Sequence, residues 1–482
     1  MTNINLLING DEAAASDGAT FERINPMTGG PATRAAAATL ADAQRAADAA
    51  AAAFPAWAAS GPGARRAVLL KAADVMQSKA AAFTELMIEE LGATAPWAGF
   101  NVHLASNMLR EAAALTTQID GQVIPSDKPG ALSMAIRQPA GVVLGIAPWN
   151  APVILATRAI ATPLACGNTV VLKASEACPG THQLIGRVLI EAGLPAGALN
   201  VITHAAADAP KLVEALIGHS AVKRINFTGS TRVGRIIAQQ AARHLKPVLL
   251  ELGGKAPLLV LDDADIDAAV NAAAFGAYMN QGQICMSTER MVVDEAVADE
   301  FVAKLSAKAK TLKAGDPRDP VVLGPLFDLG AAERMDALIH DATTKGAVLA
   351  CGGKRNGAVV EATLLDRVTS AMRIYSEESF GPVKSVIRVK GVDEAVRVAN
   401  DTEYGLSAAV FGRDVMRAMA VAKRIESGIC HINGPTVSDE AQIPFGGVKA
   451  SGYGRFGGRW GLDAFTETRW ITIEDPHQHY PF

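Results

Sequence analysis

This chain of 482 residues has almost no excess of positive or negative side chains. Lys and Arg number 45 against 49 Asp and Glu, a formal net charge of −4. No basic stripe points to nucleic acid, and no acidic tail points to a solvating arm. Cysteine is scarce: Cys166, Cys178, Cys285, Cys351 and Cys430, at irregular spacing. Without a C-x-x-C or a Cys/His cluster, neither a disulfide framework nor a metal site is expected. A reducing, cytoplasmic setting follows as the expectation. The first residues, MTNINLLINGDEAAAS, have no charged stretch followed by an apolar core, so no secretory signal is expected. Long apolar runs are also lacking. The longest segment without charge, Gln138–Thr157, is broken by Pro139, Gly141, Gly145, Pro148 and Pro152. It reads as strand, turn and helix start, so no membrane span is expected.

What is present is a large apolar fraction, 49%, with 20% charged residues. That balance fits a soluble globular protein, and the length suggests two or three domains. Residues 40–117 are rich in alanine with interleaved Leu, Val and Met, and read as amphipathic helices. From residue 141 short β-branched runs alternate with helical segments: GVVLGIAP, NTVVLKAS, ALNVIT, RINFTGS and PVLLELGG. This rhythm predicts an α/β fold with a parallel sheet covered on both faces. It resumes with APLLVLDD, RMVVDE, KSVIRVK, SAAVFGRD and GICHING, which predicts a second α/β domain. Two segments stand apart. Residues 118–137 read as two strands around a Pro-Gly turn, and Trp470–Ile473 as a further strand. Such extended pieces pair either with another subunit or with an edge of the same chain.

Several positions carry chemistry. Cys285 lies in NQGQICMSTER, where Gly282 lets backbone approach closely and amides can face an oxyanion. A free cysteine is more often a small buried hydrophobe. Glu251 ends an apolar strand 34 residues upstream, before Gly253 and Gly254. Desolvation there would raise its pKa into the range of a general base; a surface salt bridge is the plainer alternative. Asn150, after a strand, is either an oxyanion donor or a turn residue. Lys173 and Glu176 end the next strand, where open α/β sheets bind ligands and a ribose hydroxyl suits such a pair. Gly229 and Ser230 open a helix that can receive a phosphate, although FTGSTRVG is not G-x-G-x-x-G.

Taken together, these motifs resemble the aldehyde dehydrogenase superfamily over essentially the whole chain. The resemblance rests on PWN at 148–150, KASE at 173–176, FTGSTRVG at 227–234, LELGGK at 250–255, GQIC at 282–285, EESFGPV at 377–383 and PFGGVKASGYGR at 444–455. It implies a Rossmann-like cofactor domain (1–117 and 138–252), an α/β catalytic domain (253–450) and a small β oligomerisation arm (118–137 and 465–482). It implies Cys285 as nucleophile, passing through a thiohemiacetal and a thioester, Asn150 and the Cys285 amide as oxyanion donors, and Glu251 as the base toward water. It implies NAD as cofactor: Lys173 and Glu176 on the adenosine ribose, Gly229 and Ser230 at the pyrophosphate, Glu378 on the nicotinamide ribose, and Phe380 and Trp149 near that ring. It also implies a homodimer or homotetramer.

A narrower resemblance, in WAGFNVH, NQGQICMSTER, SGICHINGPTVSDEAQ and the HYPF end, is to vanillin dehydrogenases, with salicylaldehyde dehydrogenases as near neighbours. The implied substrate is an aromatic aldehyde. Ala151 leaves room for a ring, Arg158 can meet a phenolic oxygen, and Trp97, Phe100, Ile284, Met286 and Phe445 can form apolar walls. For each, ordinary core packing is the alternative, and for Arg158 a surface salt bridge. Two remoter readings are a relative that acylates coenzyme A, which generally lacks the Glu present here at 251, and a non-catalytic scaffold, against which the intact Cys285, Glu251 and Asn150 argue.

Overall fold

A computed structural model describes residues 1–482. Its first sheet has eight strands. The five predicted runs form its parallel centre, in the order Val248–Glu251, Val222–Thr228, Val142–Ile146, Thr169–Lys173 and Leu199–Ile202. Antiparallel strands close both sides: Gly452–Tyr453 beside Val248–Glu251, and Leu6–Ile8 with Asp11–Ala13 beyond Leu199–Ile202. Residues 452–453 therefore return to this sheet from beyond the segment assigned to the second domain.

The alanine-rich region is helical, as its composition predicts. Thr39 caps Leu40–Ala58 through a reciprocal bond with Asp42. Ala43, Ala46, Ala47 and Ala50 are fully buried. Their spacing forms one face, and their size lets the helix sit close on the sheet. The second helical stretch divides at Lys79 into Pro62–Ser78 and Ala80–Leu91, and Ala95–Leu115 follows.

The second sheet has seven strands and contains all five runs predicted for it. The order is Val348–Cys351, Thr363–Asp366, Val383–Val389, Arg290–Asp294, Pro257–Val260, Ser407–Phe411 and Ile429–Ile432. Only the first pairing is antiparallel. The two stray segments meet within the chain. Thr466–Ile473 pairs over its whole length with Leu132–Pro139, and Gln122–Ile124 adds a third strand. Val123, Trp470 and Ile473 of this small sheet are exposed. A further small sheet, of Thr2–Ile4, Pro31–Ala36 and Thr20–Ile24, has no counterpart in the sequence reading. No helix is long and apolar enough to cross a membrane.

The parallel order brings distant residues to one edge. Lys173 and Glu251 are the last residues of their strands, and Asn150, Gly229 and Ser230 follow theirs by a few positions. All stand at the carboxyl ends of the first sheet, the side on which open α/β sheets hold ligands.

Candidate active site

Two cavities meet at Cys285. One, of about 320 Å³, is lined by Trp149, Asn150, Gly229, Ser230, Glu251, Cys285, Glu378 and Phe380, among others. The other, of about 280 Å³, includes Trp97, Phe100, Asn150, Ala151, Arg158, Ile284, Cys285, Met286 and Phe445 in its wall. Asn150 and Cys285 belong to both. Every predicted site residue except Lys173 and Glu176 therefore lines one chamber or the other.

The loop before Cys285 is built to hold it still. Asn280, Gln281 and Gly282 all have positive φ, at 48°, 56° and 72°. The two amides tolerate this strained backbone because neighbours fix them. Asn280 Nδ2 donates to the Asn150 carbonyl at 2.9 Å, and Gln281 Nε2 to the Pro325 carbonyl at 3.0 Å. A β-carbon on Gly282 would lie 2.3 Å from the Gly381 carbonyl oxygen, so only glycine fits. Trp97 Nε1 also donates to the Asn150 carbonyl, so this indole anchors the backbone of Asn150 as well as walling the cavity. Asn150 Nδ2 donates to the Gln283 carbonyl at 3.1 Å, while the Cys285 amide donates to no protein acceptor. The free Cys285 amide and the second hydrogen of the Asn150 carboxamide, both in the walls of the two cavities, are the donor types a developing oxyanion requires.

Glu251 is buried, and its Oε1 has no hydrogen-bond partner. Burial pushes its pKa up to about 7, against the pull of the Cys285 thiol and Arg158. Burial and the nearby Glu251 charge push the Cys285 thiol well above its ordinary value. The resting thiol is therefore protonated, and the Glu251 carboxyl lies beside it. The other cysteines are also free. Cys178 does have a polar neighbour, with Sγ 3.5 Å from His182 Nε2, but burial raises it too and both residues are closed to solvent.

The cofactor-side residues are held by partners that the sequence did not reveal. Lys173 Nζ donates to His204 Nε2 at 2.8 Å, and His204 Nδ1 bonds the Ala205 carbonyl, which fixes the ring's tautomer. Burial and Lys173 lower His204 to about 4, so it is neutral near pH 7. Glu176 lies 4.0 Å from Lys173. Burial works against its charge, but Lys173, a backbone amide and Arg23 outweigh that and hold it below the usual carboxylate range. Ser230 Oγ caps its own helix through the Val233 amide. Glu378 Oε1 accepts the Gly254 amide at 2.9 Å, and burial raises Glu378 to about 7. Its loop is tied down by a buried cluster: Glu289 pairs with Lys255 and Lys384 and accepts the Ser379 amide, while Lys255 Nζ reaches the Glu377 carbonyl. The edge of Phe380 meets Trp149, centroids 5.7 Å apart at 86°.

Arg158 lines the second cavity, but not as a lone cation or a surface salt bridge. It is buried, ion-paired with Asp439 and stacked on Phe445 at 4.1 Å. The salt-bridge alternative for Arg158 is thus met by a buried carboxylate rather than a surface one. Asp439 lay in a quoted motif, yet only the fold brings it 281 residues back to Arg158.

The model of the aldehyde dehydrogenase family matches residues 13–471. This chain belongs to that family. The enzyme is 63% identical over 482 residues to a vanillin dehydrogenase of Pseudomonas fluorescens, covering all of both chains. It is 57% identical to a salicylaldehyde dehydrogenase of Pseudomonas sp. (strain C18), with 99% of each covered. Among solved structures it is similar to a salicylaldehyde dehydrogenase from Pseudomonas putida G7 complexed with salicylaldehyde: TM-score 0.99, 55% identity, all of both chains covered. Its family makes the enzyme an oxidoreductase that uses NAD or NADP. The residues of the first cavity fit such a cofactor: a glycine–serine turn at a helix start, a carboxylate at Glu378 and an aromatic edge at Phe380 and Trp149.

Proposed function

We propose that this enzyme oxidises a hydroxylated benzaldehyde of the vanillin type to its carboxylic acid, with NAD as the oxidant. The observation that carries this reading is the second cavity. Its wall is largely apolar and aromatic, its volume of about 280 Å³ suits one substituted ring, and a buried ion pair lies in the same wall. The similarity to vanillin and salicylaldehyde dehydrogenases supports the same class. Salicylaldehyde itself, or a broad range of benzaldehydes, is the second reading, favoured by the high similarity to the salicylaldehyde complex.

In the proposed mechanism Cys285 attacks the aldehyde carbon as its proton moves to Glu251. Asn150 Nδ2 and the Cys285 amide hold the oxyanion. A bound nicotinamide cofactor supplies the acceptor of the electron pair that leaves the aldehyde carbon. Glu251 passes that first proton to solvent and, ionised again, takes a proton from water, whose oxygen adds to the thioester carbon and displaces the Cys285 thiolate; a carboxylate there argues against transfer to coenzyme A. Lys173 and Glu176 hold the adenosine ribose, Gly229 and Ser230 the pyrophosphate, and Glu378 the nicotinamide ribose, with Phe380 and Trp149 beside the ring. Residues 1–117 and 138–252 form the cofactor domain, 253–450 the catalytic domain, and 118–137 with 465–482 an oligomerisation arm. The exposed Val123, Trp470 and Ile473 support burial of that arm in a homodimer or homotetramer. A cytoplasmic location fits five free cysteines.

The test is steady-state kinetics on Arg158→Ala. Charge-assisted bonds contribute ~1.5–3 kcal/mol, so kcat/KM for 4-hydroxybenzaldehyde relative to benzaldehyde falls by about tenfold or more, mostly through KM. An unchanged ratio places recognition of the hydroxyl elsewhere. Failure of the wild type to oxidise any benzaldehyde overturns the substrate class.

A further inference from the structure

The side chains of Arg158 and Asp439 are only 5% and 8% exposed. They are the two charged residues in the wall of the Cys285 cavity. Arg158 Nη2 donates to Asp439 Oδ2, and the flat guanidinium lies on Phe445. One oxygen of Asp439 thus occupies one arm of the fork. The Nη1 and Nε donors of Arg158 have no protein acceptor. Asp439 Oδ1 is likewise buried without a partner, so the pair has both donor and acceptor capacity left for a bound molecule.

We propose that Asp439 sets the charge selectivity of this subsite: by neutralising Arg158 it makes the cavity accept aldehydes whose ring carries a neutral hydroxyl and reject those whose ring carries a carboxylate. The inference rests on the proposed function and concerns a residue that function does not need for its chemistry.

Charge balance supports it. The pair sums to zero, so this part of the cavity wall offers donors without a net positive charge. A neutral phenol loses little on leaving water and gains hydrogen bonds from Arg158. A ring carboxylate must be stripped of its hydration, a large cost unless a cation repays it. Arg158 cannot repay it in full, because Asp439 already holds that charge and repels a second anion. Glu111 and Glu440 line an adjoining cleft beside Arg158 and add to the same repulsion. Selectivity here comes from an unfavourable contact with the wrong ligand as much as from a favourable one with the right ligand.

The test compares 4-hydroxybenzaldehyde, 4-carboxybenzaldehyde and unsubstituted benzaldehyde on wild type, Asp439→Asn and Asp439→Glu, with benzaldehyde as the reference for each variant. In the wild type, kcat/KM for the carboxylate substrate is about a hundredfold or more below that of the hydroxyl substrate, chiefly through KM. In Asp439→Asn the carboxylate-to-benzaldehyde ratio rises about tenfold or more, the size of one charge-assisted contact. Asp439→Glu restores the wild-type ranking. Equal losses on all three substrates in Asp439→Asn make Asp439 a purely structural partner and overturn the proposal. The wild type also decides alone, should the Asn variant fail to fold: 4-carboxybenzaldehyde must be a far poorer substrate than its neutral methyl ester. Equal use of acid and ester sinks the charge argument while leaving the aromatic-aldehyde reading intact. No turnover of any benzaldehyde sinks that reading itself, and this inference with it.

Discussion

Gly254 lies directly against the backbone of Cys285: a β-carbon on it would sit 2.3 Å from the Cys285 carbonyl oxygen. The atom it would meet is backbone and cannot swing away. Gly254→Ala should therefore push the Cys285 loop off the Asn150 carboxamide. Misplacing a reacting group by about 1 Å costs on the order of a hundredfold in kcat. The overpacking should also lower stability by about 1–3 kcal/mol. Kinetics and a melting curve check both; wild-type kcat would show that the loop yields freely.

Cys285→Ala should abolish aldehyde oxidation, because the covalent step has no substitute. Cofactor binding, read by quenching of protein fluorescence, should persist. Cys166→Ala and Cys430→Ala should keep most activity. Burial pushes those thiols up to about 12 and about 11, and no carboxylate base faces them. What distinguishes Cys285 is therefore not acidity, since burial raises it as well, but the neighbouring Glu251. Residual turnover near the wild-type rate in Cys285→Ala would overturn the assignment.

Glu251 titrates at about 7 in the folded protein, against an ordinary 4.5. A base is active when deprotonated, so kcat/KM should rise with pH through about 7, and Glu251→Gln should lose both the rise and most of the rate. Stability runs the other way. Below 4.5 both folded and unfolded states hold the proton, and the residue costs nothing. Between 4.5 and 7 the unfolded chain releases it while the fold keeps it, so stability falls as pH rises, by on the order of 3 kcal/mol in all. Urea unfolding at pH 5 and 8 should show Glu251→Gln gaining on the wild type at the higher pH.

Glu176 stays ionised near neutral pH, held so by Lys173 and Arg23 against the effect of burial. It can accept from a ribose 2′-hydroxyl and repels a 2′-phosphate of roughly −1.5 to −2 charge. NAD should be preferred over NADP, and Glu176→Gln should narrow the gap. Dissociation constants for the two dinucleotides check this. Preference for NADP in the wild type would refute the role given to Glu176.

The β-branched runs and their helical spacers determined both parallel sheets, because strand-length apolar segments separated by amphipathic helices can bury their faces in few other ways. The gap between Glu251 and Cys285, the glycines beside them and the polar amides before Cys285 made the catalytic candidates readable, since each residue type is costly where it stands unless it is used. Sequence could not decide whether the strand at 470–473 would cross to another subunit. The structure pairs it with Leu132–Pro139 of its own chain. Nor could sequence supply the partners. His204 reaches Lys173 across neighbouring strands, Glu289 ties down the Glu378 loop, and Asp439 meets Arg158 across 281 positions. A lone charged residue in a sequence has no visible counter-charge. Burial forbids leaving it unpaired, but which residue pairs with it is set by how the sheets and loops pack in space.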